Sequence, residues 1–187
     1  MDKEMSERFF ANIKWFNKFF DDLKVLLDKI TSQIEGYDHK LYYHRKSNDK
    51  PRIPRIYHVL LGSDNQLNLN LSIVLGDDRV KNQMISVDEP LIIIALHDYK
   101  KWGTTWVIEN IIDEVNIKDD LKKDDSGVLS GSLDWGNEYP EIHFYAFKVP
   151  LDAFTEYSDQ IVKEMIVNRV RKIQEMYDDE YGNTIEG

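Results

Sequence analysis

The spacing of apolar residues predicts a long helix at the start of the chain. From Phe9 to Ile34, apolar side chains recur at alternating intervals of four and three residues, which is the repeat of one helix face. Further apolar residues beside this stripe make the face wider than a coiled-coil seam. We therefore expect a helix over residues 7–35 that lies across a sheet, with a helical homodimer contact as the alternative.

After residue 56 the apolar pattern changes to a period of two, which predicts strands. In Leu67–Leu75, Leu and Ile alternate with Asn and Ser, as in a strand with one face on the core and one face in water. The run Ile56–Leu61 precedes it across a Gly-Ser-Asp-Asn turn, so the two runs predict a hairpin. Further strands are expected at Leu91–His97, Thr104–Ile108, Val128–Leu133 and Ile142–Val149. Of these, the first and the last are apolar enough to be interior to the sheet. For Glu109–Glu114 the alternative is the beginning of a short helix.

A second long helix is expected from Thr155 or Ser158 to Tyr177, because its apolar residues again follow a helical repeat. The short connections favour an α+β fold, with a mainly antiparallel sheet of about five or six strands and long N-terminal and C-terminal helices packed on it. We expect residues 1–177 to form one domain and the acidic residues 178–187 to form a flexible tail.

Composition narrows the class of protein further. The chain has no cysteine, which excludes disulfides, cysteine-ligated metals and thiol catalysis. Its longest apolar run, Leu91–Leu96, has six residues, whereas a membrane-spanning helix needs about 20. No phosphate-binding loop, dinucleotide-binding fingerprint or G-x-S-x-G elbow is present in the sequence. We expect a cytoplasmic protein with no membrane span and no cofactor.

Charge is distributed unevenly, and one basic segment stands out. The formal net charge is −10, which argues against general binding of nucleic acid. Within residues 37–58, however, six Lys and Arg face two Asp, so this segment carries +4 and the remainder −14. Cations interleaved with aromatic side chains bind phosphates and stack on bases. The residues expected to bind an anion are Tyr43, Arg45, Lys46, Arg52 and Arg55. The alternative is a connector whose cations pair with the acidic remainder of the chain.

Two pairs of polar residues at strand ends are the candidates for chemistry. His97 and Asp98 end the apolar third strand, and Glu141 and His143 begin the last strand. Two histidines and two carboxylates are suited to acid–base catalysis or to holding a divalent metal ion. Their spacing matches no known metal-ligand signature, and a histidine beside a strand is more often a packing residue.

The sequence therefore favours a non-catalytic protein–protein interaction module. The first alternative is binding of a phosphate, a nucleotide or nucleic acid through the basic segment. The second is a metal-dependent hydrolase that uses His97, Asp98, Glu141 and His143. The expected partner is another protein or a second copy of the chain, and no resident metal is expected in the leading interpretation.

Overall fold

The structure is a computed structural model that describes residues 3–37, 39–44, 56–62, 67–74, 78–80, 83–85, 90–98, 105–117, 121–134, 136, 141–154 and 158–181. The elements in chain order are α1 (Lys3–Ser32), β1 (His39–His44), β2 (Ile56–Gly62), β3 (Asn68–Val74), β4 (Asp78–Val80), β5 (Gln83–Ile85), β6 (Leu91–His97), α2 (Thr105–Ile117), β7 (Lys122–Lys123), β8 (Leu129–Leu133), β9 (Ile142–Pro150), a 3-10 turn (Leu151–Phe154) and a last helix, α3, over residues 159–181. Among the described helices, none is both long and apolar enough to cross a lipid bilayer.

The described strands form a seven-stranded sheet in the order β1-β2-β3-β6-β9-β8-β7, and β4 and β5 form a separate pair. Every described pair of neighbours is antiparallel. The α+β class, the antiparallel sheet and the β2–β3 pairing are therefore confirmed. The interior positions of β6 and β9 agree with their apolar sequences. The sheet has more strands than the five or six expected, because β1 and the very short β7 extend its two edges.

One face of the sheet packs against α1 and α3. The core on this side joins buried side chains of α1, such as Leu26 and Ile30, to Val170 and Ile173 of α3 and to alternate residues of the inner strands. Lys29 of α1 forms an ion pair of 2.8 Å with Asp159 of α3. The described buried side chains of α1 begin at Leu23, so the C-terminal part of α1 covers the sheet.

The opposite face is covered by α2, where the sequence predicts a strand over Thr104–Ile108. That prediction is wrong, because residues 105–117 form a helix. The buried side chains of α2 follow a helical spacing and pack on Ile93, Ala95, Phe144 and Ala146 of the sheet. These side chains are Val107, Ile108, Ile111, Ile112 and Val115. The run up to Ile108 is too short to distinguish a strand from the first turn of a helix. The helical alternative for the following residues agrees with the structure.

The polar residues of β3 also differ from expectation. Asn68, Asn70 and Ser72 were expected to face water, but they are 4%, 1% and 0% exposed. They lie on the α2 side of the sheet, because the alternate residues of β3 pack on the α1 and α3 side. Ser72 donates a hydrogen bond to Asn70, which satisfies part of this buried polar row. The alternation in the sequence identifies the shared face correctly but does not reveal that this face is covered.

The last helix contains a π-helical turn and is longer than the sequence predicts. It consists of α-helix Asp159–Val162, π-helix Lys163–Val167 and α-helix Asn168–Tyr181. Ser158 caps its N-terminus by accepting a hydrogen bond from Ile161 N. The helix extends to Tyr181, beyond the expected end at Tyr177. Glu180 contacts Tyr145 of β9, and Tyr181 contacts His143 of β9. Residues 182–187 of the expected flexible tail lie outside the described residues.

Candidate functional site

The sheet order places the end of β6 beside the start of β9, and this junction gathers most of the candidate polar residues. His97 is the last residue of β6 and pairs with Phe144 of β9. It shares the α2 side of the sheet with Ile93 and Ala95, and it is 3% exposed. Burial lowers the pKa of His97 to about 4, so its imidazole is neutral at pH 7. His97 therefore belongs to the buried polar row on the α2 side.

Asp98 follows His97 and ties three elements together. Its Oδ1 accepts a hydrogen bond of 3.1 Å from the backbone N–H of His143 in β9. Its Oδ2 accepts a hydrogen bond of 3.2 Å from the hydroxyl of Tyr177 in α3. Burial raises the pKa of Asp98, although the neighbouring His143 and these hydrogen bonds act in the opposite direction. Both carboxylate oxygens thus have a structural use, which joins β6 to β9 and to α3.

His143 lies on the opposite side of the sheet from His97. Its ring stacks on Tyr181 of α3, with centroids 4.4 Å apart and an interplanar angle of 17°. The four residues of the hydrolase hypothesis therefore do not form one cluster. The structure brings Asp98 into contact with the backbone of His143 and places Glu141 in the same cleft as His143, while His97 points away.

Three tyrosines and one glutamate complete the junction, and none of them is a candidate site residue in the sequence analysis. Tyr177 packs edge-on against Tyr145 and lies 5.1 Å from Tyr181 between ring centroids. The hydroxyls of Tyr145 and Tyr181 both donate hydrogen bonds to the carboxylate of Glu180. These hydrogen bonds lower the pKa of Glu180. The helical repeat includes Tyr177, but the expected helix end at that residue hides Glu180 and Tyr181.

Burial and the neighbouring carboxylates keep the tyrosine hydroxyls protonated. Burial, followed by the hydrogen bond to Glu180, raises the pKa of Tyr181 to about 12. The same two causes raise the pKa of Tyr145. Burial and the charge of Asp98 raise the pKa of Tyr177. These phenols therefore act as hydrogen-bond donors that fix the end of α3 on the sheet.

A cleft of about 430 Å³ opens beside this cluster, at the edge of the sheet formed by β8. Its lining comes from α2, the segment that contains β7, and from β8, β9 and α3. The charged and polar side chains of this lining include Glu114, Lys122, Ser132, Glu141, His143 and Glu180. Three carboxylates face one lysine, so the lining is acidic.

Gly131 of β8 lets two apolar side chains approach the wall of this cleft. A Cβ atom at this position would lie 2.9 Å from Leu121 Cδ2 and 2.9 Å from Phe144 Cζ. Real Cβ contacts are not this short, so any larger residue would displace both side chains. The glycine thus allows Leu121 to lie directly over the strand.

The turn between β7 and β8 is held by α3. Asp124 accepts hydrogen bonds from the backbone N–H groups of Ser126 and Val128. Lys172 of α3 bonds to Asp124 at 2.6 Å, and Arg169 donates to the carbonyl of Ser126 at 2.7 Å. Although burial alone would raise it, these hydrogen bonds, led by that from Lys172, hold the pKa of Asp124 well below its usual range. The edge of the sheet at the cleft therefore has a fixed position.

Within the described part of the chain, no group of three or more His, Asp or Glu side chains is arranged to hold a metal ion. Tyr43 of the expected anion site lies in β1, where it pairs with His58 of β2. The other members of that site, Arg45, Lys46, Arg52 and Arg55, lie outside the described residues. The anion-binding hypothesis stays a prediction.

Comparisons with known proteins add no assignment. No family model matches the chain, and neither a curated protein nor a solved structure matches it.

Proposed function

We propose that this protein is a non-catalytic protein–protein interaction module and that the cleft beside β8 binds a segment of its partner. The observation that carries this proposal is the position of the cleft at a sheet edge, open to a neighbouring chain and lined by five parts of the fold. Pockets for small molecules are mostly apolar and enclose their ligand. A cleft of this volume with a largely polar lining at a strand edge suits a few residues of an extended polypeptide better.

The roles of the polar side chains around the cleft favour binding over catalysis. Asp98 uses its two carboxylate oxygens to hold β9 and α3. The hydroxyls of Tyr145 and Tyr181 are engaged by Glu180. A general base or nucleophile must instead point its reactive atom at a substrate. These side chains act together as a rigid wall, which is what a binding surface needs.

Charge selects the kind of partner. Glu114, Glu141 and Glu180 outnumber Lys122 in the lining, and the whole chain carries −10. Complementary charge accelerates association and discriminates against partners of the wrong sign. The proposed partner is therefore a protein with a basic, extended segment. The cytoplasmic location expected from the sequence is part of this proposal.

The experiment is a selection of peptides from a random dodecamer library on the purified protein. Peptides that bind the wild-type chain are then measured by fluorescence anisotropy on two variants. Ser132→Trp fills the cleft from its exposed rim, and Lys163→Trp adds the same side chain at an exposed site of α3 that does not line the cleft. We expect basic peptides that lose at least about tenfold in affinity on Ser132→Trp and keep it on Lys163→Trp. Peptides that bind both variants equally, or a selection without binders, would contradict the proposal.

The other hypotheses from the sequence remain predictions. A phosphate or nucleic-acid contact through residues 37–58 depends on side chains that, apart from Tyr37, are not described, and no described contact tests a homodimer through α1. The metal-dependent hydrolase has no support from the described residues, because His97 lies on the other side of the sheet from His143 and no three described His, Asp or Glu side chains are arranged to hold a metal ion.

A further inference from the structure

We infer that the partner binds by adding a β-strand to the outer edge of β8, with a lysine or arginine of that strand paired with Ser132. This inference rests on the proposed function, since it specifies how the cleft is occupied. It is carried by the direction of the backbone groups in β8, by the end of the β7 ladder and by the charge of the cleft.

Successive residues of β8 direct their backbone N–H and C=O groups to alternate sides of the strand. The backbone N–H of Asp124 donates to the carbonyl of Val128 at 3.0 Å, so the polar groups of Val128 point toward β7. In an antiparallel pair, successive residues of a strand alternate in the side to which their N–H and C=O groups point. Ser130 and Ser132 therefore direct these groups toward β7, whereas Leu129, Gly131 and Leu133 direct them toward β9.

The pairing of β8 with β9 is longer than its pairing with β7. On the inner side β8 pairs with β9 over its whole length, from Leu129 to Leu133. On the outer side β7 pairs only with Leu129 and Ser130. No described residue pairs with Ser132 on that side. The N–H and C=O of Ser132 thus form the next position at which a strand can extend the sheet, and the cleft lies there.

The register also decides where the side chains of an added partner strand point. Residues paired across neighbouring strands share one face of the sheet. Ser132 pairs with His143, whose ring lies on the α3 side against Tyr181. A partner residue opposite Ser132 therefore points its side chain toward the α3 side, where Glu180 is exposed. The flanking partner residues point to the other side, toward apolar Leu121.

This geometry matches one class of partner sequence. A cationic side chain opposite Ser132 points to the side of the sheet on which the cleft carries Glu141 and Glu180, and apolar neighbours suit the side of Leu121. Strand addition takes its affinity from backbone hydrogen bonds and its specificity from alternate side chains. The recognised segment is therefore extended and alternates apolar and basic residues.

The test uses three synthetic heptapeptides in which valine and lysine alternate, with binding measured by fluorescence anisotropy on the unmodified protein. The parent peptide carries free amides. One matched peptide is N-methylated at its lysine amides and the other at its valine amides. Strand addition with lysine opposite Ser132 predicts a loss of at least about tenfold for lysine methylation and a change below about threefold for valine methylation.

A pair of protein variants provides an independent measurement. Ser132→Pro removes the outward N–H without removing a hydrogen bond to β9, and Lys163→Trp is the control because its exposed site does not line the cleft. We expect the parent peptide to lose at least about tenfold in affinity on Ser132→Pro and to keep its affinity on Lys163→Trp. Circular dichroism verifies that both variants fold, and a Ser132→Pro variant that fails to fold leaves the decision to the methylated peptides.

The outcomes separate this inference from the proposed function. If both methylated peptides bind like the parent while Ser132→Trp still blocks binding, strand addition is wrong and the interaction module stands. If the parent peptide does not bind although other peptides select the cleft, strand addition by this sequence class is wrong as well. If no peptide depends on the cleft, the proposed function fails together with the inference.

Discussion

His97 is the buried ionisable residue whose environment has the clearest consequence. Its side chain is enclosed on the α2 side of the sheet, and burial lowers its pKa from 6.5 to about 4. Between these two pH values the unfolded chain binds a proton on this residue and the folded chain does not. The free energy of unfolding therefore falls as the pH is lowered through this window and is highest above pH 6.5.

His97→Gln should remove this part of the pH dependence. The pKa difference corresponds to about 3 kcal/mol between neutral pH and pH 4. We expect urea unfolding of the wild type to lose roughly this amount over that range, with a smaller loss in the variant. Equal slopes in the two proteins would show that His97 is not held in its neutral form.

Substitution of Asp98 tests whether the polar contacts that join β6 to β9 and α3 stabilise the fold. Asp98→Ala removes the acceptors of His143 N–H and of the Tyr177 hydroxyl, and partly buried donors without acceptors are costly. We expect a loss of about 3 kcal/mol in the free energy of unfolding for Asp98→Ala and about 1 kcal/mol for Asp98→Asn, measured by denaturant titration. A wild-type stability in Asp98→Ala would contradict the structural role.

At the scale of elements, α3 acts as the part that fixes the cleft edge. Its residues Lys172 and Arg169 hold the β7–β8 turn, and its last turn brings Glu180 and Tyr181 onto β9. Arg169 also lies over the ring of Phe147, 5.0 Å from its centroid. The position of β8 relative to the cleft therefore depends on the docking of this one helix.

Gly127 offers a test of this docking. Its φ is +78°, and an added Cβ would lie 3.3 Å from Arg169 Nη2. Gly36 is the matched control, because its φ is +88° and nothing lies within 4 Å of its added Cβ. We expect Gly36→Ala to cost about 1 kcal/mol from backbone strain and Gly127→Ala about 2 kcal/mol, since Arg169 must also move. Equal losses in thermal unfolding would show that Arg169 is not held tightly at the turn.

The elements that the sequence predicts well are those whose pattern is long and whose surroundings are simple. The inner strand β6 follows from a continuous apolar run, β9 follows from largely apolar residues on both of its faces, and the last helix follows from a sustained helical repeat. The helix α2 is missed because the run before Ile108 fits two periods equally. Alternation in β3 shows which residues share a face, but only the structure reveals that Asn70 and Ser72 are covered.

Less of the candidate site than of the fold can be predicted from the local sequence pattern. His143 and Glu141 can be selected from the sequence because polar residues at the start of an apolar strand are conspicuous. The cleft itself joins Glu114 to Glu180, which are far apart in the chain and meet only through the sheet order. Nothing in the local pattern indicates that the described pairing of β7 with β8 stops at Ser130.

At the scale of the whole molecule, charge and topology point to the same place. The net charge of −10 favours association with cationic molecules in general, and the acidic lining of the cleft at β8 is the place where we propose that a basic partner binds. The other edge strand, β1, lies within residues 37–58, the segment whose net charge is +4. We therefore propose cationic partners for the β8 edge, and anionic partners at the β1 edge stay a prediction.

The most direct test of the binding cleft is chemical-shift mapping of the ¹⁵N-labelled protein during titration with the alternating valine–lysine heptapeptide. We expect the largest amide shifts on Ser132 and its neighbours in β8, on Glu141 and His143, and on Glu180 and Tyr181. A valine–glutamate peptide of the same length should leave these amides unchanged. Shifts confined to β1 and the basic segment, or no shifts at millimolar peptide, would show that the cleft does not bind this peptide.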